Sequence, residues 1–458
     1  MKTETTELFR SEKVSRILFK LAPPVMLAQL IQALYNIVDS VFVGRYSDSG
    51  LTALSIIYPM QLLMIAFAVG AGVGMNTIMA ARFGVGQDGE AEEYAGVGTL
   101  LAGAMWLLFA TVCWLILPAY ARMSTNSETV IADIVQYGRI VCVFSFGLFF
   151  ESTWTKVLQA NGDMKTPMIA QILGAVTNIV LDPLLIFGYL GLPEMGIRGA
   201  AIATVTGQAV AALFVFRGGF RRIPGKEVYL HHIAKIFQVG IPNILMQSAY
   251  TFYILGLNLI LSGFSDQAVT ALGLYYKWQT FFFIPLCAMQ TCIVPVISFN
   301  YAAKDIGRCQ KVLLTSIWMG TALMAVGTIC FVTFPTALLR VFTQDAQVIA
   351  IGSYGFRFIG VSFIPMVMAL IFPVFFQAVG AGLKSSLLTV IRTVVLFVPL
   401  GYLFSRWGLR FFWWTFPVTE MITASVSAFS FTSSSSKAAV SGCWELALQR
   451  ERHNHRDR

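Results

Sequence analysis

A chain of 458 residues that is 57% hydrophobic and only 12% charged carries about half the ~25% charge of an ordinary soluble domain. Its 37 phenylalanines and its apolar runs of near twenty residues suit segments that cross a bilayer, so it reads as an all-α polytopic membrane protein. The net charge of +9 invites a nucleic-acid reading, but the basic residues sit between apolar spans, on the side that cytoplasmic loops favour.

In chain order, residues 1–20 (MKTETTELFRSEKVSRILFK) are polar and charged, with no short apolar core and no small-residue cleavage site. They predict a cytoplasmic N-terminal segment, not a cleaved signal. About twelve spans follow, roughly 21–43, 51–81, 95–118, 130–158, 166–188, 197–217, 233–261, 268–299, 312–335, 346–379, 385–405 and 411–430. The first six form an N-lobe over 21–217, and residues 218–232 a cytoplasmic connector. The last six form a C-lobe over 233–430, and 431–458 is a polar tail expected to be disordered. With the N-terminus inside, the inner segments hold 17 Lys and Arg and the outer loops hold 6. Both termini are therefore expected in the cytoplasm of a multi-pass plasma (inner) membrane protein.

Span 1 carries Asp39 in QALYNIVDSVFVG, and span 5 carries Asp182 in VTNIVLDPLLIFG. A charge at such depth costs at least ~2.5–3.5 kcal/mol and is tolerated where it handles ions or substrate. Asp39 lies about four residues from the outer end of its span and Asp182 about six, which at ~1.5 Å per residue places both within about one helical turn of the same depth. Asn178 shares a helix face with Asp182, Tyr35 shares one with Asp39, and Asn36 lies one turn back as well. Two acids so placed cannot both ionise cheaply. Such a site can hold a proton, a sodium ion or an organic cation, and can exchange one for another.

Other intramembrane polar residues are weaker signals. Glu151, close to Lys156, reads as snorkelling to the cytoplasmic edge. Glu420, mid-span in FPVTEMI, is a secondary candidate for ion or substrate contact. Arg139, Lys277, Arg357 and Arg392 read as anchors at span ends. The glycines of VGAGVGMN (69–76) lack the strand–turn–helix context of a phosphate loop and predict close helix packing instead. The seven cysteines and four histidines show no metal-ligand spacing, so neither a disulfide framework nor a zinc site is expected. No HExxH, nucleophile elbow or P-loop is present; enzyme activity and a cofactor are not expected, and transport energy is expected from an ion gradient.

The sequence also contains itself twice. Shifted by 218, LAPPVMLAQLIQALY (21–35) falls on VGIPNILMQSAYTFY (239–253), with Pro24 on Pro242, Gln29 on Gln247 and Tyr35 on Tyr253. LQANGDMK (158–165) falls near FQAVGAGLK (376–384). Six spans per half return the chain to its starting side, which makes the repeat parallel, about an axis along the membrane normal. Asp39 falls on Leu257 and Asp182 on Gly401 or its neighbour. The acids belong to the first half alone, as a functional site would and a shared scaffold would not.

YNIVDSVFVG (35–44), LQANGDMKTP (158–167) and TNIVLDPLLIFGYLGLPEMGIRGAAIAT (177–204) resemble the multidrug and toxic compound extrusion (MATE) transporters. The resemblance covers roughly residues 12–420. It implies twelve helices in two six-helix lobes, and export of cationic or amphipathic drugs in exchange for protons or sodium. Asp39, Asn178 and Asp182 match the polar positions of the branch with an N-lobe site, and Thr204 matches a threonine of the sixth helix. The acids that other branches carry in helices 7 and 10 are absent here. The partners implied are small cationic drugs, a proton or sodium ion, and membrane lipids, with no nucleic acid, for a monomeric protein. The rival within the superfamily, a lipid-linked oligosaccharide flippase, needs a cationic cavity for pyrophosphate, against the acidic bias here.

Overall fold

The computed structural model describes residues 9–10, 12–125 and 127–435. The tail expected over 431–458 therefore lies, from 436 onward, outside the described residues. Helices dominate because backbone groups in hydrocarbon must find partners within their own segment. The chain forms two compact units, Met1–Ser248 and Ala249–Arg458.

The first unit holds α1 (Val14–Tyr46), α2 (Asp48–Gly84), α3 (Asp88–Ser124), α4 (Glu128–Val143), α5 (Phe146–Ala160), α6 (Lys165–Ile186) and α7 (Ile197–Gly219), then the start of α8 (Tyr229–Ser262). The second holds the rest of α8, α9 (Asp266–Phe282), α10 (Ile284–Ala302), α11 (Ile306–Thr333), the short α12 (Pro335–Arg340), α13 (Ala346–Ala378) and α14 (Gly382–Val390). A π segment (Ile391–Phe397) follows, then α15 (Val398–Ser405), α16 (Leu409–Phe412) and α17 (Thr415–Ser435).

Ten helices are long and apolar enough to cross a membrane, or eleven if α4 and α5 are one bent span. The expectation of about twelve differs at three places, each with a local cause. The span expected over 130–158 is broken by 40° between α4 and α5. There the Ser145 hydroxyl donates to the Cys142 carbonyl at 2.7 Å, and Gly147 runs against the α7 backbone, where a Cβ would meet Ala209 N at 2.7 Å. Serine back-bonding and glycine are ordinary sources of a kink. The span expected over 268–299 is divided at Phe283, with Pro285 in the first turn of α10, a position that tolerates the missing N–H. The last expected span, 411–430, corresponds to α16 and α17. α17 is less apolar because Thr415, Thr419, Glu420, Thr423 and Ser427 all lie buried in it.

The close packing expected of the 69–76 glycines is present. A Cβ on Gly74 would meet the Ile236 carbonyl oxygen at 2.3 Å, and one on Gly240 would meet that of Gly70 at 2.6 Å. Two helices touching backbone to backbone is the small-residue mode of packing in membranes. It joins the first half of α8 to α2, so the division between the units falls within α8, beyond the 218–232 connector.

Candidate functional site

The acidic site of the first unit is assembled by a close crossing. Gly174 of α6 and Gly207 of α7 approach so nearly that a Cβ on either would meet the other's carbonyl oxygen at 2.8 and 2.6 Å. One turn further along each helix stand Asn178 and Thr204. With its amide in the orientation that satisfies both ends, Asn178 donates to Asp182 Oδ2 at 3.3 Å and accepts from the Thr204 backbone N–H at 3.2 Å. Pro183, inside α6, has no N–H to give the Ile179 carbonyl, which opens the helix ladder beside Asp182.

Asp39 reaches this group from α1. Its carboxyl lies close enough to that of Asp182 for the two to act on each other electrostatically. Asp182 is fully buried, Asn178 is 2% exposed and Asp39 is 8% exposed. The Asp39 Oδ1 atom is buried without a hydrogen-bond partner. Ionised carboxylates only accept hydrogen bonds, so a bond between the two requires that one of them carry a proton. The pair with one proton then holds a charge of about −1 in an interior where a second negative charge is strongly opposed.

Of the other residues expected here, Tyr35 is half-buried and lies in the electrostatic field of both acids. Thr204 is joined through its backbone to Asn178. Asn36 is exposed on α1 and not buried with the acids. Glu420 belongs to the second unit. There Arg392, from the π segment, grips it with Nε at 3.0 and 3.1 Å and Nη2 at 2.5 Å. Arg392 is therefore 8% exposed inside its unit, where the sequence suggested an anchor at a span end.

Two residues join the first-unit site that the sequence did not single out, Tyr137 and Gln61, and a third, Glu151, is placed otherwise than its snorkelling reading had it. Tyr137 of α4 is 2% exposed and lies close to Asp39, Gln61 and Thr204. Gln61, a lone amide in the apolar run of α2, was the available signal. Glu151 turns inward. It accepts from the Thr155 hydroxyl at 2.9 Å, and its charge is felt at Tyr35. Lys156, its neighbour in sequence, donates to Gln159 at 2.8 Å and also acts on Glu151 through its charge. Among the described residues no three His, Cys, Asp or Glu side chains gather as metal ligands. A small cation at this site would take two carboxylates, with neutral oxygens from Asn178, Thr204 and tyrosine available around them.

The MatE family model matches the chain twice, over residues 24–184 and 242–403. The chain belongs to the MatE family. The two matches begin at 24 and 242, an offset of 218, the same as the internal repeat. Over 445 residues the chain is 23% identical to the multidrug export protein MepA of Staphylococcus saprophyticus, covering 93% of this chain and 95% of that protein. Over 424 residues it is 24% identical to an FAD transporter of Shewanella oneidensis, covering 90% and 93%. An outward-facing multidrug resistance MATE transporter superposes with a TM-score of 0.87 at 23% identity, covering 93% of this chain and 97% of that one. A transporter of the MOP superfamily from Pyrococcus furiosus superposes at 0.86 with the same coverage. This MatE protein is a membrane transporter with the two-lobe helical fold of these structures.

The Arg392–Glu420 contact has a direct consequence for stability. Glu420→Leu strands a buried guanidinium and should destabilise the detergent-solubilised protein by roughly 3–5 kcal/mol. The double variant Arg392→Met, Glu420→Leu should recover most of that loss in thermal denaturation, because neither charge then remains. Equal stability of Glu420→Leu and the unsubstituted protein would contradict a buried, mutually dependent pair.

Proposed function

We propose that this MatE transporter is a secondary active efflux antiporter. It exports cationic or amphipathic small molecules in exchange for protons or sodium ions, and Asp39 and Asp182 are the coupling site. The observation that carries this reading is the closeness of two buried carboxyls, those of Asp39 and Asp182. With one proton the pair attracts a cation, and with two it is neutral and releases it. The neighbouring Tyr35, Tyr137, Asn178 and Thr204 supply oxygens that can follow either state. The multidrug export relative agrees with this cargo class.

The name of the FAD transporter relative points to a phosphate-bearing cargo, as does the alternative of a lipid-linked oligosaccharide flippase. Either cargo calls for an unneutralised cationic site buried among the spans. Arg392 is buried but bound by Glu420, and the first-unit site is acidic, which favours the cationic cargo.

Coupling requires both acids. Asp39→Asn and Asp182→Asn should each reduce export of a cationic dye from energised cells to the level of cells lacking the transporter. Both variants should still insert and fold, since each removes a charge from the membrane interior. Wild-type export by either variant at equal expression would show that its acid is only structural.

The protein is proposed to lie in the plasma membrane with both termini in the cytoplasm, on the distribution of its basic residues. In a background without native cysteines, Asp266→Cys should react with an impermeant thiol reagent added to intact cells. Gly225→Cys should react only after the cells are opened. The reverse pattern would overturn this orientation.

A further inference from the structure

On the second unit, at the end of α11, is an open depression of ≈ 610 Å³ whose lining includes Arg340 of α12 and Arg357 of α13, both exposed. Two short helical patterns place these arginines. Thr336 precedes Arg340 by four residues and Ser353 precedes Arg357 by four, so each hydroxyl and its arginine share a helix face. The Thr336 and Ser353 hydroxyls are hydrogen-bonded at 3.0 Å. That bond ties the two faces together one turn from the two guanidinium groups. The wall is firmly seated. The Trp278 indole donates to the Leu338 carbonyl at 3.0 Å, and Leu339 is fully buried against Gly352, where a Cβ would meet it at 2.8 Å.

Neither arginine has a carboxylate within ion-pair distance among the described residues. Two like charges lining one depression with no acid between them repel, and an anion held between them removes that repulsion. Planar guanidinium forks suit phosphate oxygens, and paired arginines are a common means of holding one. The rim is apolar: Phe334 is 60% exposed and Val341 65%. α11, with 28 residues, is about 42 Å long at ~1.5 Å per residue, longer than the ~30 Å hydrocarbon core, so a span along it brings both of its ends into the headgroup layers.

We propose that Arg340 and Arg357 form a binding site for a phosphate-bearing anion, and the apolar rim favours one carried on a lipid headgroup. The site is separate from the acidic pair of the first unit and does not depend on the antiport reading. The alternative role of such residues, independent anchoring of each side chain at the interface, needs no shared ligand.

The test uses the full-length protein, purified and stripped of lipid. Binding is measured by native mass spectrometry and by thermal stabilisation in three arms: mixed micelles of phosphatidylglycerol, mixed micelles of phosphatidylcholine, and inorganic phosphate. Binding of phosphatidylglycerol over phosphatidylcholine, with none of inorganic phosphate, identifies a lipid headgroup site. Binding of inorganic phosphate as well identifies a general phosphate site. In either case the Arg340→Gln, Arg357→Gln double variant should bind at least about tenfold more weakly, because it loses charge-assisted hydrogen bonds. Arg122→Gln should bind as the unsubstituted protein does. Single Arg→Lys variants, which keep the charge and lose the planar fork, should fall between and guard against misfolding of the double variant. No binding in any arm, or equal binding by the double variant and the unsubstituted protein, would overturn the proposal.

Discussion

A carboxylate withdrawn from water has to be neutralised where it stands, and this transporter meets that constraint in two ways. In the first unit Asp182, fully buried, meets another acid, Asp39. Their contact is favourable only when a proton lies between them. In the second unit Glu420, equally buried, meets Arg392. A proton can leave and return, whereas an arginine stays charged at any physiological pH. The two solutions therefore differ in what they allow: a pair of acids can exchange a proton, whereas the ion pair is a fixed clamp between the π segment and α17, and on the proposed reading that exchange is the coupling step. That difference is the physical ground for placing ion coupling in the first unit.

The surrounding architecture positions that pair. The crossing at Gly174 and Gly207 brings Thr204 to Asn178, and Asn178 holds Asp182. Pro183 breaks the ladder beside the acid, and Pro23 and Pro24 interrupt α1 on the way to Asp39. Helix bonding is thus weakened on both elements that carry an acid. A change in the charge of the pair is applied to helices that can bend.

Much of this was legible in the sequence because a carboxylate in an apolar run is a strong local anomaly. Asp39, Asp182 and Asn178 stand out for that reason, and the shift of 218 that aligns the halves reappears as the offset between the two family matches. Features that depend on partner choice across helices were not legible. Arg392 and Glu420 are separated by 28 residues, and nothing in either local run says that they meet. Glu151 feels the charge of Lys156, yet its hydrogen bond comes from Thr155. The direction of a side chain around its helix decides the outcome, and packing sets that direction. The break between α4 and α5 rests on one serine back-bond and one glycine contact, too slight a signal within an apolar run. Tyr137 joins the site because α4 packs beside it, and a tyrosine in an apolar helix is ordinarily core.

The central claim is that protons and a cationic cargo compete for the Asp39–Asp182 pair. Linkage makes the effect reciprocal: if protons weaken cargo binding, cargo must release protons by the same factor. The most direct measurement adds a permanent organic cation to the detergent-solubilised protein in weakly buffered solution and follows proton release between about pH 5 and 8. Competition at a pair that shares one proton predicts release by the unsubstituted protein, and none by the Asp39→Asn, Asp182→Asn double variant. Binding of the cation to the unsubstituted protein with no proton release anywhere in that range would contradict the claim, leaving sodium or an indirect route to carry the coupling.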